Sequence, residues 1–173
     1  MIIGIAGPKG SGKDTVYKII NDIVPCYHIA FADPIREANL KILGLKPEDV
    51  DIFKRSKVQM IFGNRKVEID GRHIYREIGM LMRHYDVNQF TNYVLEKMQN
   101  APDKLWIITD VRFGNEVKFI REQKGKIVLL ERDGYNYDNH PSETGILDFD
   151  FKIQNTTIED LKNQIKIILK EIL

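Results

Sequence analysis

The chain has 173 residues, 43% hydrophobic and 29% charged, which excludes a disordered chain and points to a single folded domain carrying an insertion. Its 26 basic and 25 acidic residues leave a net charge of +1, so binding to a nucleic-acid polymer through bulk charge is not expected. Any basic site must be local, as in a pocket that accepts phosphates. Cys26 is the only cysteine, so no internal disulfide can form, which fits a reducing cytoplasm. Met1–Ala6 has no basic leader, and no run of the sequence is long enough to span a bilayer. Neither a signal peptide nor a membrane anchor is expected.

Apolar runs alternate with helical patterns, the mark of a parallel sheet covered by helices on both faces. Ile2 to Ala6 reads as a buried first strand, followed by a helix from Asp14 to about Val24. Tyr27 to Ala32 is a second strand, ended by Asp33-Pro34, with proline suited to the first turn of a new helix. Residues 54 to 100 are too long for a simple crossover. They are expected to form a helical insertion, with 67–71 as a turn or short ribbon. Leu105 to Thr109 is a third strand with the helix Asn115 to Gln123 behind it, and Lys126 to Glu131 is a fourth. Residues 133–148 are rich in turn formers, a composition expected of a functional lid. Phe149 to Ile153 is a fifth strand. Thr156-Thr157-Ile158-Glu159 then reads as a capping box opening a last amphipathic helix.

Between the first strand and the first helix lies Gly7-Pro8-Lys9-Gly10-Ser11-Gly12-Lys13-Asp14-Thr15. Glycines at this spacing let the backbone turn tightly and aim N–H groups at phosphates, and the helix N-terminus adds partial positive charge. Lys13 supplies a cation for a transferred phosphoryl group. Asp14 stands where Ser or Thr normally meets Mg²⁺, and Thr15 follows one place later. Asp14 either serves Mg²⁺, directly or through water, or favours the helix N-terminus by its charge.

The acceptor side is less sharply written. Asp33, at the end of the second strand, suits a proton acceptor or an Mg²⁺-orienting group, or else a helix cap. Arg72, Arg76 and Arg83 fall within about 40° of one another on a helix. That is either a solvated stripe or a clamp for an anionic acceptor. Asp110, after the third strand, occupies a place suited to a second Mg²⁺-organising carboxylate, with Arg112, Asn115 and Glu116 just beyond. Arg132 leads into the expected lid, which holds His140 and Glu143. The four histidines have no zinc-ligand spacing with Cys26.

Four segments in this order, 7–15, Phe31-Ala-Asp-Pro-Ile-Arg36, Asp110-Val-Arg-Phe-Gly-Asn-Glu116 and His140-Pro-Ser-Glu143, resemble the bacteriophage-type deoxynucleoside monophosphate kinases. The likeness runs from the first strand to Ile153-Gln154-Asn155-Thr156. It implies a P-loop kinase fold of about five parallel strands and transfer of the γ-phosphoryl of ATP, with Mg²⁺, to a deoxynucleoside monophosphate. It implies Gly7, Lys9 to Thr15 and Asn155 on ATP, and Asp33 near the reacting centre. Around the acceptor it implies Arg36, Arg83 and Arg112, with Arg72, Arg76, Asp110, Asn115, Glu116, His140 and Glu143 nearby. Arg132 and the segment through Glu143 resemble a lid closing over the nucleotide. The family's Gly-Thr is here Gly79-Met80, the glycine before its central arginine is Met82, and its proline in the Asp-Val-Arg-Phe motif is Gly114. A homodimer, with 54–100 at its interface, is a further expectation. The rival readings are another small-molecule kinase, such as a dephospho-coenzyme A kinase, and a nucleotide-binding switch without phosphotransfer.

Overall fold

The computed structural model describes residues 1–134 and 146–173. They form two compact units: Met1–Phe31 with Thr91–Leu173, and Ala32–Phe90. Among the described residues, no helix is long and apolar enough to cross a membrane.

The first unit is built on a sheet whose strands are apolar on both faces. β1 (Ile2–Ala6) is buried at every residue, as a strand flanked by helices must be. β2 (Tyr27–Ile29), β5 (Trp106–Val111), β6 (Lys126–Glu131) and β7 (Phe151–Gln154) complete it. All neighbours are parallel and the order is β2-β5-β1-β6-β7. β1 is therefore central, with β5 on one side and β6 on the other. β2 and β5 are added on one side of β1 and β6 and β7 on the other, a switch in strand order beyond whose strand ends ligands bind in such sheets.

Alternation along β1 sorts the helices. Ile3 and Ile5 join Val16, Ile19 and Ile20 of α1 (Lys13–Ile23) in one core. Leu161, Ile165, Ile168 and Leu169 of α7 (Ile158–Ile172) complete it. On the opposite face, a Cβ added at Gly4 would lie 2.5 Å from Ile120 Cδ1 of α6 (Gly114–Glu122), so glycine lets that helix lie close. Phe31 and Phe119 meet edge to face, 6.0 Å apart, on this side.

The second unit contains α2 (Asp33–Leu43), a 3₁₀ turn Pro47–Asp49 and α3 (Val50–Arg55). β3 (Lys57–Phe62), β4 (Arg65–Asp70) and α4 (Gly71–Tyr85) follow, and α5 (Gln89–Gln99) starts at its end. The segment 54–100, expected to be helical, thus opens with an antiparallel hairpin of two six-residue strands. Its turn is Gly63-Asn64, with Gly63 at φ 59°. Apolar and charged residues alternate along β4 after a Gly-Asn pair, and β3 before it is largely apolar.

Smaller shifts have local causes. β2 stops at Ile29 because the N–H of Phe31 goes to the Asp110 carboxylate, 2.8 Å away, and not to a strand neighbour. The last helix is capped one residue later than expected: Thr157 Oγ1 accepts from Asp160 N–H at 3.1 Å. β7 starts at Phe151, just after a charged knot. Asp150 accepts from Ile127 N–H at 2.8 Å and also pairs with Arg121 and Lys126, while Arg121 holds Asp148 at 2.7 Å.

Burial works against the charged form of Asp150, but the Ile127 N–H, Arg121 and Lys126 outweigh it and hold the carboxyl below the usual range. Its contribution is complete above the unfolded value of about 3.9 and is lost as pH falls through the lower folded value. Asp150→Asn is expected to cost about 1–2 kcal/mol in urea unfolding at neutral pH. The gap to the parent should shrink as the medium is acidified below about pH 4.

Candidate active site

The loop joining β1 to α1 is held in an extended cradle by three glycines, at φ 150° (Gly7), 81° (Gly10) and 104° (Gly12). Two also have no room for a side chain. A Cβ at Gly7 would lie 2.3 Å from the Leu130 carbonyl oxygen, and one at Gly12 would lie 2.5 Å from Asn155 Nδ2. The loop is thus pressed against the ends of β6 and β7. Asn155 fixes it there: its Nδ2 donates to the Ser11 carbonyl at 2.7 Å, and its own N–H donates to the Glu131 carbonyl at 2.8 Å. Arg132 Nη1 adds a longer bond to the Gly10 carbonyl at 3.3 Å.

Lys13, the first residue of α1, turns its ammonium back over the loop. Its Nζ donates to the Gly7 and Pro8 carbonyls, both at 2.7 Å. Ser11 is fully buried, yet its hydroxyl has no hydrogen-bond partner, a costly arrangement that a phosphate oxygen would relieve. Glycine-bent backbone, an orphaned hydroxyl, a mobile cation and a helix N-terminus together fit a polyphosphate. Lys9 and Asp14 are exposed and Thr15 is half-buried in the same stretch. Among the described residues no group of three or more His, Cys, Asp or Glu is arranged to cage a metal. Asp14, exposed at the start of α1, offers one carboxylate beside the cradle, a donor that fits an Mg²⁺ ion held mainly by phosphates and water.

The end of β5 carries the second polar group of this unit. Asp110 Oδ1 receives the Phe31 N–H. Glu116, 1% exposed, accepts from the N–H groups of Arg112 at 2.7 Å and Phe113 at 3.0 Å through one oxygen, Oε2. It is the third residue of α6, so its charge also lies at the positive end of that helix. The sequence placed Glu116 with the acceptor-binding groups; the structure turns its carboxylate onto the backbone that presents Arg112. Arg112 and Asn115 are half-buried.

In the second unit, Asp33 is the first residue of α2, and the capping position before it is Ala32, which makes no side-chain cap. Arg36 is exposed, with Nη2 3.5 Å from the Pro47 carbonyl. Arg72, Arg76 and Arg83 all lie on α4 and are half-buried, so the expected stripe exists. Arg83 stacks its guanidinium 4.4 Å above the Phe90 ring, which holds its plane in place. Gly79 lets α2 approach, since a Cβ there would lie 2.8 Å from Ile35 Cδ1. His140 and Glu143, with most of the expected lid, lie outside the described residues. The contributors the sequence did not reveal are main-chain carbonyls, those of Leu130 and Glu131, which no side-chain pattern encodes.

No family model matches the chain. It is 30% identical over 181 residues to a protein of Acanthamoeba polyphaga mimivirus named "Putative deoxynucleotide monophosphate kinase", covering 95% of this chain and 94% of that one. The chain belongs to the deoxynucleotide monophosphate kinase family. Its fold is shared with P-loop kinases of other specificities. A dephospho-CoA kinase from Campylobacter jejuni aligns with TM-score 0.54 and 16% identity, over 99% of this chain and 96% of that one. A shikimate kinase from Aquifex aeolicus aligns with TM-score 0.51 and 15% identity, over 98% and 96%. At such identities the likeness is one of architecture.

For this kinase two substitutions separate loop shape from loop support. Gly12→Ala places a methyl against Asn155 at a positive φ, and ATP binding measured by calorimetry should weaken at least about tenfold while the circular dichroism stays unchanged. Glu116→Ala orphans two N–H groups, and the melting temperature should fall by an amount equivalent to about 2–4 kcal/mol.

Proposed function

We propose that this kinase moves the γ-phosphoryl group of ATP to the phosphate of a deoxynucleoside monophosphate, giving ADP and the deoxynucleoside diphosphate. The observation that carries the reading is the glycine cradle with Lys13 above it and the orphaned Ser11 hydroxyl within it. The mimivirus relative's name supports the choice of acceptor.

In this reading the loop N–H groups and the Ser11 hydroxyl bind the phosphates of ATP, and Asn155 keeps the loop in shape to do so. Lys13 leaves the Gly7 and Pro8 carbonyls for the transferred group, where negative charge spreads over three oxygens in the transition state. An oxygen of the acceptor phosphate attacks the γ-phosphorus, and the bond to the β-phosphate oxygen breaks with its electron pair leaving on ADP. A phosphate monoester loses its second proton near pH 6, so the nucleophile is already ionised at neutral pH. Asp33 then serves to orient the acceptor. Arg36, Arg72, Arg76 and Arg83, carried by the second unit, are its candidate cations for such an acceptor, and Arg112 is the candidate of the first. Asp14 and Asp110 are the carboxylates that would hold Mg²⁺ through water, and the ion would offset the negative charge of the phosphates. Arg132 and the segment through Glu143 act as the lid that excludes water, whose attack would waste ATP. The single thiol, Cys26, half-buried and pushed up in pKa by that burial, suits a cytoplasmic setting.

The test is ADP release with Mg²⁺-ATP against a panel of deoxynucleoside monophosphates and dephospho-coenzyme A. At least one deoxynucleotide should raise turnover, and dephospho-coenzyme A should not. Asp33→Asn should lower kcat by about tenfold or more while the ATP dissociation constant stays within about threefold. Unchanged turnover in Asp33→Asn would remove that residue from the site.

A further inference from the structure

Asn155 holds the phosphate loop from the end of β7, and β7 is an edge strand. One side of β7 pairs with β6, in register from Val128 with Phe151 to Glu131 with Gln154. Among the described residues its other side has no strand beside it. Successive residues of a strand turn their N–H and C=O groups to opposite edges. Asn155 turns inward, with its N–H on the Glu131 carbonyl. Gln154 therefore turns outward, to the edge where main-chain groups lack a strand partner.

Both groups of Gln154 are taken by a single side chain of α7. Gln164 Oε1 accepts from the Gln154 N–H at 3.2 Å, and Gln164 Nε2 donates to the Gln154 carbonyl at 3.0 Å. A glutamine amide carries the donor and the acceptor of a peptide group, so it does the work of one residue of a further strand. Two bonds of opposite sense fix the direction of Gln154 as well as its place. Gln164 is half-buried beside the apolar stripe of Leu161, Ile165, Ile168 and Leu169, so the packing of α7 carries it to this edge.

The Gln154 side chain extends the grip to the second support of the loop. Its Nε2 donates to Asp133 Oδ1 at 2.9 Å. Asp133 follows Arg132, whose guanidinium reaches the Gly10 carbonyl, as Asn155 reaches that of Ser11. We propose that Gln164 is a positioning residue for ATP: by gripping Gln154 it holds Asn155 against the phosphate loop and keeps the Ser11–Gly12 backbone shaped for phosphates. This inference rests on the reading of that loop as the ATP site. The opposing view is that Gln164 only closes the edge of the sheet, so that its loss lowers stability and leaves the loop alone.

Calorimetry with Mg²⁺-ATP and no acceptor tests this independently of which acceptor the kinase uses. Gln164→Met keeps the length and helix preference of the side chain and removes both bonds. The ATP dissociation constant should rise about fivefold. Ile168→Val, in the core of the same helix, also lowers the melting temperature but should leave ATP binding within about twofold. In an Asn155→Ala background, Gln164→Met should move the dissociation constant less than about twofold, because its route to the loop is already cut. Unchanged ATP affinity in Gln164→Met overturns the proposal. So does an equal loss with and without Asn155, or a loss that Ile168→Val shares in proportion to its melting temperature. A parent chain that binds no ATP overturns the reading of the loop itself, and this inference with it.

Discussion

The phosphate loop has its shape because it is squeezed. The Leu130 carbonyl stands where a side chain at Gly7 would be, and the Asn155 amide stands where one at Gly12 would be. Glycine is required at both positions twice over, by φ and by space. That pressure comes from β6 and β7, so the loop depends on strands more than a hundred residues away in sequence. In return, the sheet order puts β6 beside β1 and sets the loop at the strand ends where the strand order switches sides.

Two polar groups, one half-buried and one buried, extend this logic from shape to chemistry. Asn155 spends its amide on the Ser11 carbonyl, and Glu116 spends a carboxylate oxygen on two backbone N–H groups. Neither is a solvated surface residue, and Glu116 is almost wholly enclosed. A carboxylate is costly to bury unless it is satisfied, and these two bonds tie it to the backbone at Arg112 and Phe113. Ser11 is the contrast: enclosed as fully, but with its hydroxyl unmatched by the protein. Preorganised support around one unsatisfied group is what a site built for an anionic ligand requires.

Much of this could be read from residues alone, for identifiable reasons. β1 and β6 are continuous apolar runs bounded by glycine or charge, and their limits match the structure to the residue. The loop motif lies between strand and helix as expected, and the arginines at 72, 76 and 83 do share a helix. What was not legible depends on long-range partners. β2 is cut short by a side chain of β5, and β7 begins only after Asp150 is tied to β6. The sequence suggests only a turn or short ribbon over 67–71, because the strands of the hairpin are exposed on nearly every residue and no buried run announces them. The role of Glu116 depends on which way its side chain turns, and a motif carries no such direction.

The destination of the phosphoryl group decides whether this loop serves nucleotide phosphorylation. ATP labelled at the γ-phosphate, incubated with the chain, Mg²⁺ and deoxynucleoside monophosphates, should yield label in a deoxynucleoside diphosphate in step with ADP. The Lys13→Ala chain should transfer at least about a hundredfold more slowly. Label found only in inorganic phosphate, or bound ATP left intact with every acceptor, would contradict the assignment of this loop to nucleotide phosphorylation.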